Sequence, residues 1–65
     1  MDKVVATRGA GIYLIENADG QGQVADTRTG ELHPPQNLQS ILARGYWEPA
    51  EHVDVADVLA LVKPV

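Results

Sequence analysis

The sequence predicts a small α+β domain: a two- or three-stranded antiparallel sheet over about residues 3–32, then two short helices on one of its faces. The helices are expected at about residues 37–44 and 54–63. Three observations favour this class of fold. A dense β-branched run precedes a glycine-rich turn, apolar residues in the middle of the chain recur at helical spacing, and capping residues precede the apolar C-terminal segment.

The predicted sheet is built around a hairpin. Residues 12–15 (Ile-Tyr-Leu-Ile) form the densest β-branched and aromatic run, and four consecutive apolar positions allow both of its faces to be covered. Gly20 and Gly22 in the following turn are expected to supply positive φ angles. The other predicted strands are residues 3–7, the return strand 23–28 and a short pairing segment at 31–32.

The first predicted helix follows Pro34 and Pro35, which end the sheet because proline has no backbone N–H to donate. Gln36 or Asn37 can cap this helix. Its apolar residues at i, i+3 and i+4 are Leu38, Ile41 and Leu42. Gly45 is expected as a left-handed residue just beyond the helix, with Tyr46 folding back on the last turn. Residues 47–50 are then expected to be extended or turning, because proline at 49 disfavours helical backbone before it.

The second predicted helix begins at Asp54, with Asp57 three residues later in an arrangement similar to a capping box. Val53 and Val58 have the spacing of a hydrophobic staple, and Pro64 ends the segment. An alternating strand at residues 52–55 is the rival interpretation.

Composition limits the classes of function. The chain has 65 residues, 45% of them hydrophobic, a net charge of −4 and no cysteine. These values indicate one soluble acidic domain without disulfides or thiolate metal sites, and they suit the cytoplasm. So small a core usually needs reinforcement, and association with itself or another protein is the leading source of it. Alanine, valine and glycine dominate, arginine outnumbers lysine and phenylalanine is absent, which is typical of GC-rich coding sequences, as in many bacteria and phages.

The sequence therefore favours a non-enzymatic protein-interaction module, acting as a homo-oligomer or as a small accessory subunit. The predicted C-terminal helix is apolar over most of its circumference, more than one face of a small domain needs. Tyr46 and Trp47 are candidate aromatic anchors, although a lone tryptophan is more often a core residue. The candidate interface residues are Tyr46, Trp47, Val55, Val58, Leu59 and Val62.

Two alternative functions stay open. Nine dispersed carboxylates suit an acidic inhibitor, phage-encoded in one version, that occupies a nucleic-acid-binding or regulatory site on an enzyme. A small nucleic-acid-binding regulator using Arg8 and Arg28 is less favoured, because five isolated cations make a weak phosphate-binding surface. No cofactor, catalytic residue or membrane association is predicted. His33 and His52 with nearby glutamates match no defensible metal-binding spacing, and Ser40 lies within a helix without a paired base.

Overall fold

A six-stranded mixed sheet with two short helices makes up the protein in the computed structural model, which describes residues 1–65. In chain order the elements are β1 (Lys3–Arg8), β2 (Ile12–Glu16), β3 (Gly22–Asp26), β4 (Glu31–Leu32), α1 (Leu38–Arg44), β5 (Glu48–Pro49), α2 (Val55–Leu59) and β6 (Lys63–Pro64). The strand order is β5-β1-β2-β3-β4-β6. The β4–β6 pair is parallel, and the other pairs are antiparallel. Neither helix is long and apolar enough to cross a membrane.

The prediction of a two- or three-stranded antiparallel sheet was wrong, since the sheet has six strands and is mixed, although the domain is still α+β-like. The additional edge strands β5 and β6 have only two residues each, and each contains a proline. Lys63 and Val65 donate backbone hydrogen bonds to Gly30 and Leu32, at 2.9 and 3.1 Å. Pro64 between them therefore occupies the outward-facing position, where it has no N–H to offer. Such segments escape sequence analysis because their pairing is tertiary, and their residues have little intrinsic preference for strands.

The two helices lie on opposite faces of the sheet, which corrects the prediction that both cover one face. Leu14 and Ile15 are adjacent in β2, so their side chains point to opposite sides, and both are almost fully buried. Leu14 packs with Ile41 of α1, whereas Ile15 packs with Val58 of α2. The run of four apolar residues in β2 thus has a partner on each side, as its composition allows.

A β-bulge at Val5 lets β1 contribute to both cores. Val4 pairs with Ile15 and Ala6 pairs with Leu14, so Val5 is an extra residue in the ladder between β1 and β2. In a regular strand, residues 4 and 6 would share a face. Here Val4 lies in the core under α2, and Ala6 lies in the core under α1.

Helix α1 begins as predicted and ends differently. The Asn37 side chain accepts a hydrogen bond from the Ser40 backbone N–H at 3.0 Å, which confirms the N-cap. Gly45 has an extended backbone with φ −132°, not the predicted left-handed conformation. A Cβ at Gly45 would lie 2.5 Å from Nε1 of Trp47, so space for the indole explains this glycine. Tyr46 does not fold back on the helix but points into solvent.

Helix α2 is a helix rather than the rival strand, but it ends at Leu59 instead of continuing to 63. The Asp54 side chain accepts a hydrogen bond from the Ala56 N–H at 3.0 Å, which confirms the predicted cap. The chain then turns and runs beside β4 as β6, because its backbone groups pair with residues 30–32 there. Val62 therefore reaches the core from beyond the helix.

The turn between β3 and β4 contains an ion pair that makes stability depend on pH. Nη2 of Arg28 lies 3.1 Å from Oδ2 of Asp26, and Oδ1 of Asp26 also accepts the backbone N–H of Arg28. The side-chain hydrogen bond from Arg28 holds the pKa of Asp26 below its usual value of 3.8. A carboxyl with a lowered folded-state pKa stabilises the fold above its unfolded-state pKa, and this contribution disappears as pH falls through the folded-state pKa.

We therefore expect Asp26→Asn to lower the urea midpoint of unfolding at neutral pH, because the amide keeps the shape of the turn without the charge. The difference from the unmodified protein should shrink as pH is lowered through 4 towards 2. Asp19→Asn, at the exposed β2–β3 turn, is the control for removing one negative charge. Urea titrations at several pH values test this, and a gap for Asp26→Asn that is constant with pH would contradict it.

Candidate functional site

A small pocket beside the end of β1 gathers two arginines and the single tryptophan. Its volume is about 300 Å³, and we call it the arginine pocket. It is lined by Arg8, Val24, Gln36, Ile41, Arg44 and Trp47. Its wall is thus partly the core under α1 and partly charged side chains from β1 and α1.

Trp47 forms the rigid wall of the arginine pocket. Its indole N–H donates to the Ile41 carbonyl oxygen at 3.1 Å, so the ring is tied to the last turn of α1. The guanidinium carbon of Arg8 lies 4.6 Å from the ring centroid, within the range of a cation–π interaction. The sequence favoured a core role for Trp47 over that of an exposed anchor. In the structure the ring is half-buried against the core under α1, and Arg8 lies over its face.

The two arginines of the pocket form no ion pair. Arg44 donates from Nε to the Ser40 carbonyl at 3.2 Å and from Nη2 to the side-chain oxygen of Gln36 at 2.9 Å. The ion pairs of the protein are elsewhere, at Lys3–Glu16 and Asp26–Arg28. A protein with net charge −4 thus keeps two guanidinium groups beside one pocket whose partners are all uncharged: a backbone carbonyl, an amide and an indole ring. This makes the pocket locally positive and suited to an anionic group.

Tyr46 lies next to this pocket in the chain and is 93% exposed. Trp47 packs against the core under α1, whereas the Tyr46 ring is free in solvent. Tyrosine, tryptophan and arginine, the residue types that meet here, are the ones enriched in protein-binding surfaces.

A second depression lies at the other end of β1, with a volume of about 500 Å³. We call it the valine cleft. Its lining comprises Asp2, Lys3, Val4, Val5, Glu51, Val53, Asp54 and Val55. Nζ of Lys3 is 3.8 Å from a carboxylate oxygen of Glu16, so its charge is partly compensated. The cleft therefore combines an apolar floor with three carboxylates on its rim.

The structure separates the candidate interface residues into two groups. Tyr46 is exposed and Trp47 is half-buried beside it. In the C-terminal group, Val58 and Val62 are only 3% and 8% exposed and belong to the core under α2. Val55 and Leu59 are partly buried against the same core. That this C-terminal group contacts another protein stays a prediction, and within the monomer its two central residues are already covered.

Sequence reasoning missed both the arginine pocket and the valine cleft. Arg8 and Arg44 are far apart in the chain, and only the packing of α1 against the sheet brings them together. A partial signal was present in Gln36, just before α1, and Arg44, the last residue of α1. The cleft likewise joins the start of β1 to the segment before α2, which no local pattern links.

The other candidate residues are not combined into a site. No group of three or more histidine, aspartate and glutamate side chains lies close enough to hold a metal ion, and His33 and His52 belong to no such group. Arg28 is engaged by Asp26, whereas Arg8 shares its pocket with Arg44. The molecule thus presents a positive aromatic surface at one end of β1 and an acidic apolar cleft at the other. No protein-family model, curated protein or solved structure matches this chain.

Proposed function

We propose that this protein is a non-enzymatic protein-interaction module that binds its partner through Tyr46 and the adjacent arginine pocket. The observation that supports this most strongly is the exposure of Tyr46. Its side chain is 93% exposed, so burying the ring against another surface releases much free energy. Tyrosine also loses little conformational entropy on binding, because it has only two side-chain torsions.

The arginine pocket adds specificity to this surface. Arg8 is held by the Trp47 ring, and Arg44 is held by the Gln36 side chain and the Ser40 carbonyl, so both guanidinium groups are positioned before binding. Groups ordered in advance lose less entropy when a partner docks. The partner therefore carries carboxylates beside an apolar patch that can accept the tyrosine ring.

Binding uses side chains rather than addition of a strand to the sheet. Both edge strands place a proline at the outward position, Pro49 in β5 and Pro64 in β6. Ala50 donates inward to Val5, as Lys63 and Val65 donate inward on the other edge, so no N–H of β5 or β6 points outward. An extended partner segment would find no donors there with which to pair.

Selection from a random peptide library on the purified protein tests the proposal. We expect the selected peptides to combine carboxylate and apolar residues and to change the fluorescence of Trp47 on binding. Tyr46→Ala should weaken their binding tenfold or more, in the range of a hot-spot residue. Leu61→Ala removes another exposed apolar side chain outside both depressions and should leave the affinity unchanged. Equal affinities for the Tyr46→Ala variant and the unmodified protein would contradict the proposal.

An acidic inhibitor is the second candidate, and one feature of the structure favours it. Four exposed carboxylates lie between residues 48 and 57, a stretch without lysine or arginine: Glu48, Glu51, Asp54 and Asp57. This surface is suited to a basic nucleic-acid-binding site on an enzyme. Inhibition assays on purified nucleases and polymerases test this, with Glu48→Gln/Glu51→Gln as the variant. Inhibition relieved by that variant and by salt is expected, and inhibition insensitive to both would contradict it.

A further inference from the structure

We propose that the partner is a second copy of this chain, whose valine cleft receives Tyr46 and faces the arginine pocket. The inference rests on the proposed function, because it takes the Tyr46 surface to be the binding surface. The Tyr46 surface of one copy binds the valine cleft of the next, so the copies associate head to tail.

Charge complementarity is the first argument. The arginine pocket offers Arg8 and Arg44 without carboxylate partners, and the valine cleft offers Asp2, Glu51 and Asp54 against one lysine that is paired elsewhere. Within one molecule these groups form no ion pairs with each other. Opposed surfaces of this kind attract and orient two copies, and salt weakens the attraction.

Apolar complementarity is the second argument. Tyr46 is exposed and precedes Trp47 of the arginine pocket, and the apolar residues that line the cleft are Val4 and Val5 of β1, Val53, and Val55 of α2. A depression of about 500 Å³ is large enough to accept one aromatic ring. Docking would therefore cover an exposed ring with valines while the arginines meet the carboxylates on the rim.

The positions of the two depressions decide the symmetry. They lie near the first and last residues of β1, a strand that spans about 17 Å at about 3.3 Å per residue. Because the two complementary surfaces are different patches, one contact leaves a free pocket on one copy and a free cleft on the other. Such contacts are heterologous, so they continue into a chain or close into a ring.

Blocking each surface separately gives the sharpest test. Arg8→Glu/Arg44→Glu disables the pocket, and Asp2→Lys/Glu51→Lys disables the cleft while keeping the helix cap at Asp54. Native mass spectrometry and sedimentation velocity then follow each protein across concentration, with circular dichroism to confirm folding. We expect the unmodified protein to form multiples of 7.0 kDa at high concentration and each variant alone to stay at 7.0 kDa. An equimolar mixture of the two variants should form a species of twice that mass and nothing larger.

A milder variant tests the contact if the double variants fold poorly. Gln36→Glu places a carboxylate against Arg44 in nearly the same shape and should weaken self-association about tenfold by neutralising the pocket. Gln39→Glu adds the same charge on α1 outside the pocket and should leave association unchanged.

Three results would overturn the inference: a monomer at all concentrations, a dimer that survives in either double variant, or equal effects of Gln36→Glu and Gln39→Glu. The proposed function fails separately, through the peptide assay. A monomeric protein whose selected peptides still require Tyr46 would show that the partner is a different protein.

Discussion

Leu14→Ala is expected to lower the free energy of unfolding by about 2–5 kcal/mol, the range for removing a fully buried leucine side chain. Leu14 is inaccessible to solvent and lies in β2 between β1 and β3, against Ile41 of α1. Its removal leaves a cavity where three elements meet, and short strands have little freedom to close over it.

The size of the domain makes this loss decisive. A protein of 65 residues is typically stable by roughly 3–10 kcal/mol, so this loss removes a large share of the total and should strongly lower the urea midpoint of the variant. Leu61→Ala is the matched control, because Leu61 is 63% exposed and should change stability by less than about 0.5 kcal/mol. Urea titration followed by Trp47 fluorescence measures both, and similar midpoints for the two variants would contradict the assigned core.

Gly45→Ala is expected to displace the Trp47 indole and to lower stability by about 1–3 kcal/mol, as overpacking does. The backbone of Gly45 suits any residue, so the cost comes from contact alone. An added Cβ would lie 2.5 Å from Nε1 of Trp47 and 2.9 Å from a guanidinium nitrogen of Arg8. The hydrogen bond to the Ile41 carbonyl and the stacking of Arg8 should both be disturbed, which opens the arginine pocket.

Gly9→Ala separates this effect from that of any glycine replacement. Gly9 has φ +62° and open space around the position of a Cβ, so its replacement costs only backbone strain. Both variants should be less stable, but only Gly45→Ala should shift the fluorescence maximum and the indole N–H resonance of Trp47. An unchanged indole resonance in Gly45→Ala would show that the wall of the pocket does not depend on this glycine.

Local patterns predicted the features that depend on neighbouring residues. The β2–β3 hairpin forms around Gly20, which has φ +79°, whereas the positive φ predicted for Gly22, the first residue of β3, was wrong. Asn37 and Asp54 cap the helices as predicted. Each of these depends on a few consecutive residues, so composition and spacing are sufficient to find them.

Features that depend on distant parts of the chain were not predictable in the same way. The strand β6 forms only because its backbone meets β4, and the burial of Val62 follows from that pairing rather than from a long helix. Gly45 was assigned to a backbone conformation when its role is to leave room for a side chain. The arginine pocket likewise requires α1 to be placed on the sheet beside β1 before its two cations meet.

The extra residue in β1 determines where in this strand a one-residue deletion can be accommodated. Without Val5, Val4 and Ala6 would be consecutive residues of a regular strand, and regular alternation would send them to the same opposite faces that they occupy now. A gap of one position here would keep every pairing between β1 and β2. It would remove the Val5 carbonyl that accepts from Ala50, and the Val5 residue that packs against the core under α1 and lines the valine cleft. Elsewhere in β1 or β2, a one-residue deletion would move the side chains on one side of it to the opposite face of the sheet. Val5 is therefore the point in this pair of strands where the chain can lose a residue without exchanging its two cores.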